Sequence, residues 1–156
     1  MQERRETIGM LAGAAGGAVA IGIMEAFSTR AAIALMAIPF ATSIVLVMGS
    51  PDVEAAQPRA LVGGHIVATI IGLVVVKIAG PEPWAAALAV GLAIAAMQLT
   101  HTFHPPAGID PLLVVVNNMP LSFLLVPVAV GAVLLALFAF IWHLLIRRYS
   151  WPIRWW

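Results

Sequence analysis

The chain of 156 residues contains no cysteine, and only 10% of its residues are charged. Disulfides, iron–sulfur clusters and thiolate metal sites are therefore excluded. The net charge of +1 provides no basic surface that would suit a nucleic-acid partner. By contrast, hydrophobic residues make up 62% of the chain and the mean hydropathy is +1.03. This composition predicts one integral membrane domain over residues 1–156, with lipid as its main partner.

Four apolar stretches are long enough, alone or with their flanks, to cross a bilayer core of about 30 Å as helices. They cover residues 7–27, 61–78, 84–99 and 121–146. The first is interpreted as a retained span, because its apolar run is longer than that of a cleaved signal. Residues 31–48 and 100–118 are also long enough, but prolines interrupt them. The predicted fold is an all-α transmembrane helical bundle of four full spans plus two proline-broken or re-entrant elements.

Arginines cluster at the two ends of the chain. Arg4 and Arg5 precede the first span, and Arg147, Arg148 and Arg154 follow the last one. The positive-inside rule therefore predicts that both termini are cytoplasmic, with a bacterial inner membrane as the expected location. An even number of spans follows, and six is favoured over four.

The two broken stretches occupy corresponding places in two halves of the chain, residues 7–78 and 84–146. Each half consists of a span, a broken element and another span. With three spans per half, the second copy would be inverted relative to the first. Paired interruptions of this kind indicate a transporter binding site. The favoured architecture is thus a six-span inverted repeat whose breaks face each other near the membrane midplane.

Small residues recur at a spacing of four in three of the predicted spans. This spacing lets helix backbones approach closely. It favours tight packing and a homo-oligomer, most simply a dimer, with the first span as one candidate contact. The three sets are Gly9, Gly13 and Gly17; Gly64, Ala68 and Gly72; and Ala87, Gly91 and Ala95.

The second break is rich in polar residues and prolines. His104 and Pro105 each precede a proline, which disfavours helical geometry. Asp110 followed by Pro111 is typical of a helix N-cap and first turn. These features predict a non-helical bridge over residues 104–110, deep in the membrane. Asp110 is either a functional intramembrane carboxylate or only a helix cap.

The histidines allow several interpretations. His101 and His104 are three residues apart and could share a metal on a helix, but no further ligand of the usual kind lies nearby in the sequence. A pore-lining or proton-handling role and a simple buried hydrogen bond are the alternatives. His65 lies early in a span, and His143 near a span end is expected at the interface. No metal and no cofactor is predicted.

The two breaks and the polar residues beside them form the predicted ion pathway. Backbone N–H groups, hydroxyls and imidazoles there would replace the hydration shell of a small ion. The residues are Thr42, Ser43, His65, His101, Thr102, His104, Pro105, Pro106, Gly108 and Asp110.

At His104-Pro105-Pro106 the chain resembles the HPP family of small integral membrane proteins, named for this tripeptide. The likeness extends to residues 39–43, 56–59 and 63–65, within roughly residues 35–135. The family is usually described with four spanning helices, and some members resemble nitrite transporters of plastids and cyanobacteria. In this family the position of Asp110 more often carries an uncharged residue, so this chain departs from the family pattern.

The resemblance implies a transporter or channel for a small inorganic anion, nitrite first, and not an enzyme. Two alternatives stay open. One is a membrane redox or haem subunit that uses His65, His101, His104 and His143 as ligands. The other is a non-catalytic membrane assembly subunit.

Overall fold

The computed structural model describes residues 2–30, 38–148 and 150–155, which form helices and no strand. The predicted all-α class is thereby confirmed for this part of the chain. The α-helices are α1 Gln2–Arg30, α2 Ile38–Gly49, α3 Pro58–Ala79, α4 Pro83–Leu99, α5 Ile109–Val116 and α6 Val130–Trp142. Short 3-10 turns, Glu54–Ala56 and Pro105–Gly108, precede α3 and α5, and wider helical turns, Leu124–Ala129 and His143–Arg147, extend α6 at both ends.

Among the described residues, three helices are long and apolar enough to cross a membrane: Glu6–Ala26, Pro58–Ala79 and Leu124–Arg147. They match three of the four predicted full spans. The fourth corresponds to α4, whose 17 residues rise only about 26 Å. α2 and α5 are shorter still, with 12 and 8 residues. The four-span and six-span counts therefore both stay predictions.

Proline positions determine where these helices begin and bend. Pro39 lies in the first turn of α2, where its missing N–H has no intrahelical partner to lose. The predicted break at residues 39–43 is therefore wrong, because these residues are helical; the preceding part of this element, residues 31–37, lies outside the described residues. In the last span, Val126 before Pro127 leaves helical geometry (φ −132°, ψ 117°) and kinks the helix.

Contacts between helices show that α2 runs opposite to α1. A methyl group placed on Gly13 of α1 would lie 2.6 Å from the Met48 carbonyl oxygen, and one on Gly17 would lie 3.9 Å from Ile44. The Trp142 Nε1–H near the end of α6 donates to the Ala12 carbonyl at 3.0 Å. The beginning of α1 and the end of the last span therefore lie at the same end of the bundle. The inverted repeat stays a prediction.

Two of the three small-residue stripes pack inside the chain. On α3, a methyl group on Gly64 would lie 2.6 Å from His104 Cβ, and one on Gly72 would lie 2.7 Å from Pro111 Cα. Gly13 of α1 likewise packs against α2, within the chain. The third stripe, on α4, is exposed at Ala87, Gly91 and Ala95.

Two apolar clusters make up most of the core. One contains Ile44 and Val47 of α2 with Leu135 of α6. The other contains Val114 of α5 with Val128 of the last span. The α3 helix contacts α4, α5 and α6, and α6 in turn contacts α2. Polar side chains that project from α3 between these clusters are therefore shielded from the surroundings of the bundle.

Candidate functional site

Polar side chains from the two proline-containing elements meet directly. Ser43 lies one turn after Pro39 on α2, and His104 lies immediately before the Pro105–Gly108 turn. The distance between His104 Nε2 and Ser43 Oγ is 2.9 Å. Ser43 of the first proline-containing element therefore contacts His104 of the second, while the predicted ion pathway between them stays a prediction.

A continuous chain of hydrogen bonds runs from this contact into the bundle. Ser43 Oγ lies 2.8 Å from His65 Nε2. On the other side of the ring, His65 Nδ1 lies 2.7 Å from Asp110 Oδ2. The Thr69 hydroxyl donates to the same carboxyl oxygen at 3.4 Å. We call His104, Ser43, His65 and Asp110 the polar chain, and all four side chains are 0% exposed.

The polar chain lies well inside the bundle. The 22 residues of α3 rise about 33 Å. His65 follows Pro58 by seven residues, and Thr69 follows it by eleven, so they lie about 10 Å and 16 Å along the helix. Asp110, which contacts both, is therefore close to the middle of a helix long enough to span a bilayer core. Side chains that can ionise are rare at such depth and are usually functional.

One end of the polar chain is held by the turn before α3. His104 Nδ1 donates to the Ala55 carbonyl at 2.6 Å. Gln57 fixes this turn, because its Nε2 donates to the Pro51 carbonyl at 2.8 Å and to the Val53 carbonyl at 3.1 Å. A carbonyl oxygen only accepts, so His104 Nδ1 must carry a hydrogen. The tautomer of His104 is set by this contact.

Close backbone approach at α3 makes the geometry possible. A methyl group on Gly63 would lie 2.6 Å from Thr102 Cγ2, and one on Gly64 would lie 2.8 Å from the Thr102 carbonyl oxygen. Any side chain larger than hydrogen would push the 102–104 segment away from α3. The His65 and His104 ring centroids are then 5.2 Å apart, and Phe40 covers the other side of His65 at 4.8 Å.

Two predictions about the second break are wrong. Residues 105–108 form a 3-10 turn that leads directly into α5, so the bridge over residues 104–110 is largely helical. Prolines fit there because the first N–H groups of a helical turn need no partner; only His104 is extended (φ −128°, ψ 96°). The N-cap of α5 is Gly108, not Asp110. Asp110 lies in the first turn of α5, and its carboxyl group is hydrogen-bonded to His65.

Other predicted pathway residues lie outside the polar chain. Thr42 is exposed on α2, and His101 is exposed in a left-handed conformation (φ 56°). The Thr102 hydroxyl lies 2.8 Å from that of Thr100. Pro105, Pro106 and Gly108 shape the turn between His104 and Asp110. Whether these residues contact a permeating ion stays a prediction.

His143 lies near the end of the last span, and its expected place at the membrane interface stays a prediction. Its side chain is fully buried within the protein, and Nε2 donates to the Val47 carbonyl at 3.1 Å. The wide helical turn that begins at His143 directs the ring toward α2.

Sequence reasoning missed two partners of the polar chain. Thr69 follows His65 by four residues, so the two share a face of α3, and this spacing was a usable signal. The Ala55 carbonyl carries no such signal, because a backbone oxygen is available at every position. Only the folded turn brings it to His104.

The order Asp110, His65 and Ser43 matches that of a Ser–His–acid catalytic triad. Ser43 Oγ is nevertheless hydrogen-bonded by a second histidine and has no exposed surface, so no substrate reaches it in this conformation. The described residues also contain no group of three or more side chains placed to hold a metal ion. What the arrangement can do is hold and exchange protons in a low-dielectric interior.

Among the described residues, three helices are long and apolar enough to span a membrane, and the bundle encloses a polar chain. This architecture is that of an integral membrane protein. The family model of the HPP transmembrane region matches residues 2–152, and the chain belongs to this family.

Two transmembrane proteins of Dictyostelium discoideum are similar to it, at 38% and 35% identity over 125 residues, or 75% of this chain. These residues make up 40% and 44% of the relatives, so the chain spans less than half their length. No solved structure matches the chain.

Proposed function

We propose that this chain is a transporter for a small inorganic anion, with nitrite as the first candidate. The observation that supports it is the polar chain, enclosed where two half-length helices meet inside a membrane bundle. Ionisable groups at this depth are costly unless they serve an ion or proton path. Interrupted helices that meet near the midplane are a recurrent form of transporter site. Nitrite is chosen because some members of the family resemble nitrite transporters.

The donors around Ser43 suit an anion. A small anion that reached this point would meet the Ser43 hydroxyl and one imidazole N–H group, from His65 or from a protonated His104, which can replace part of its hydration. Asp110 is the group that would oppose it. Its carboxyl group is engaged by His65 at 2.7 Å, so it does not face Ser43 as an unpaired negative charge. The departure at Asp110 is therefore compatible with anion transport.

The test is nitrite uptake into proteoliposomes that contain only this chain. Protein-free liposomes measure the leak of nitrous acid, and nitrate and chloride measure selectivity. We expect saturable nitrite uptake above the leak. In His104→Ala the uptake rate should fall about tenfold, because a buried hydrogen-bonding side chain that can take up a proton is removed. The variant Ser50→Ala, on an exposed residue just after α2, is the matched control. Uptake equal to that of protein-free liposomes would contradict the proposal.

A histidine-ligated haem or redox subunit is the second candidate, and the geometry favours it less. A haem iron needs an unshared nitrogen lone pair from each axial histidine. Both ring nitrogens of His65 and of His104 are already hydrogen-bonded within the protein. A Soret band in the visible spectrum of the purified chain would reverse this preference.

We also propose that the chain forms a homo-oligomer, most simply a dimer, through α4. The support is the exposed stripe of Ala87, Gly91 and Ala95, since a methyl group on Gly91 would meet nothing within 4 Å. Small residues on an outer helix face let a second helix approach closely in lipid. A second copy of this chain is the partner that this surface suits.

A further inference from the structure

The polar chain is fixed in direction at His104. In its middle, Ser43 Oγ lies 2.8 and 2.9 Å from two imidazole nitrogens and at a longer 3.4 Å from the Pro39 carbonyl. Ala55 only accepts, so His104 donates from Nδ1. The other links, between His104 and Ser43, Ser43 and His65, and His65 and Asp110, can each be made in either direction. A serine hydroxyl donates once and accepts at the same time. The direction of the whole chain therefore depends on where one proton resides.

In the first arrangement that proton is on Asp110. Asp110 Oδ2–H donates to His65 Nδ1, and His65 Nε2–H donates to Ser43 Oγ. The Ser43 hydroxyl then donates to His104 Nε2, while His104 Nδ1–H donates to Ala55. Both histidines and the carboxyl group are neutral. Every one of the four distances, 2.7, 2.8, 2.9 and 2.6 Å, is then used by one donor and one acceptor.

In the second arrangement three protons have each moved one link toward His104. The carboxyl proton is on His65 Nδ1, the proton of His65 Nε2 is on Ser43 Oγ, and the serine proton is on His104 Nε2. Asp110 is now a carboxylate, His65 is neutral in its other tautomer, and His104 is an imidazolium. No heavy atom has to change partner: the three links from Asp110 to His104 reverse direction, and the His104–Ala55 hydrogen bond keeps its direction. One unit of positive charge has moved from Asp110 to His104.

We propose that the polar chain is a proton relay that couples anion movement to proton movement. The inference rests on the proposed transport function, because the relay supplies its coupling ion. The relay extends from His104, beneath the Ala55 turn, to Asp110 near the middle of α3. In the charged arrangement the imidazolium of His104 attracts the anion. In the neutral arrangement that attraction is absent, which favours release.

Asp110 Oδ1 supports a mobile proton at the inner end. This atom is buried, and it has no hydrogen-bond partner among the residues that the structure describes. A buried carboxylate oxygen without a donor is costly, whereas a protonated carboxyl group tolerates it. The inner end is thus suited to hold the proton in one arrangement and to give it up in the other.

The charged groups around the relay belong to few elements. His65 is on α3, His104 and Asp110 flank the Pro105–Gly108 turn, and α2 contributes only the hydroxyl of Ser43. Arg59, also on α3, donates to the Thr100 carbonyl at 3.1 Å instead of to the relay. From α6, His143 approaches α2 at Val47, one turn beyond Ser43.

The test measures protons moved per nitrite. Proteoliposomes that contain a trapped pH dye receive a nitrite gradient, and nitrite uptake and internal pH are recorded together. We expect the wild type to move protons with nitrite, and Ser43→Ala and Asp110→Asn to lower the proton-to-nitrite ratio at least tenfold. Ser50→Ala is the control for the same chemical change at an exposed residue. An unchanged ratio in both relay variants would overturn the relay while leaving transport intact.

A second measurement does not depend on transport. The 15N signals of His65 and His104 are followed against pH in the purified protein. The two arrangements hold the same number of protons, so pH acts by adding or removing one proton from the whole chain. Loss of that proton reverses the tautomer of His65 and changes the partner of His104 Nε2, so both histidines should change with one shared midpoint. In Ser43→Ala the change at His104 should separate from that at His65, and Ser43→Thr, which keeps the hydroxyl, should restore the shared midpoint. Independent midpoints in the wild type would overturn the relay, even in a protein that transports nitrite.

Discussion

Gly64 is the position where a single methyl group tests the site geometry most directly. In Gly64→Ala the new Cβ would lie 2.6 Å from His104 Cβ and 2.8 Å from the Thr102 carbonyl oxygen. Carbon atoms in good contact are about 3.5–4.0 Å apart, so the 102–104 segment must move by about 1 Å. The His104–Ser43 bond of 2.9 Å would then stretch beyond the usual hydrogen-bond limit of about 3.2 Å.

The expected cost follows from these displacements. Overpacking a buried contact costs about 1–3 kcal/mol, and loss of a buried hydrogen bond costs about 1 kcal/mol. Alanine in a helix regains about 1 kcal/mol relative to glycine. The net destabilisation is therefore about 1–3 kcal/mol, which corresponds to a Tm lower by roughly 3–10 °C for a chain of this size.

The assay is thermal unfolding in mild detergent, with nitrite uptake as a second readout. Gly22→Ala is the matched control, because a methyl group there meets nothing within 4 Å on an exposed part of α1. We expect Gly22→Ala to unfold at or slightly above the wild-type temperature. If Gly64→Ala is as stable as Gly22→Ala and transports equally well, the close approach of α3 to His104 is not needed, and the reasoning is refuted.

Two further predictions concern topology and assembly. Single cysteines introduced at Gln2 and at Ser150 should be labelled by an impermeant reagent from the same, cytoplasmic side. The reason is that α1 begins and the last span ends at one end of the bundle. Labelling from opposite sides would contradict this topology. Gly91→Leu should weaken self-association in mild detergent, because the leucine side chain fills the exposed small-residue stripe of α4. Gly22→Leu on α1 is the control and should leave self-association unchanged. Equal association of wild type and Gly91→Leu would place the contact elsewhere.

The membrane class and the helical fold follow from the sequence alone. Lipid cannot hydrogen-bond the backbone, so long apolar runs have to be helices. Pro39 and Pro105 each lie in the first turn of a helical segment, as proline chemistry favours, and Ser43 and His104 lie close to them. All four members of the polar chain are polar side chains within or beside apolar spans, so residue type and position were enough to identify them as candidates.

Which polar groups touch was decided only by the tertiary structure. Local rules made Asp110 a helix cap, but packing of α5 on α3 placed its carboxyl group against His65 and Thr69 instead. Thr42 and Ser43 are equally polar neighbours on α2, and the orientation of that helix alone buries one and exposes the other. The tautomer of His104 depends on a backbone oxygen 49 positions earlier in the chain. Sequence determines where the backbone must bend, because proline acts locally; a hydrogen-bond partner is set by distances between helices, which no local pattern encodes.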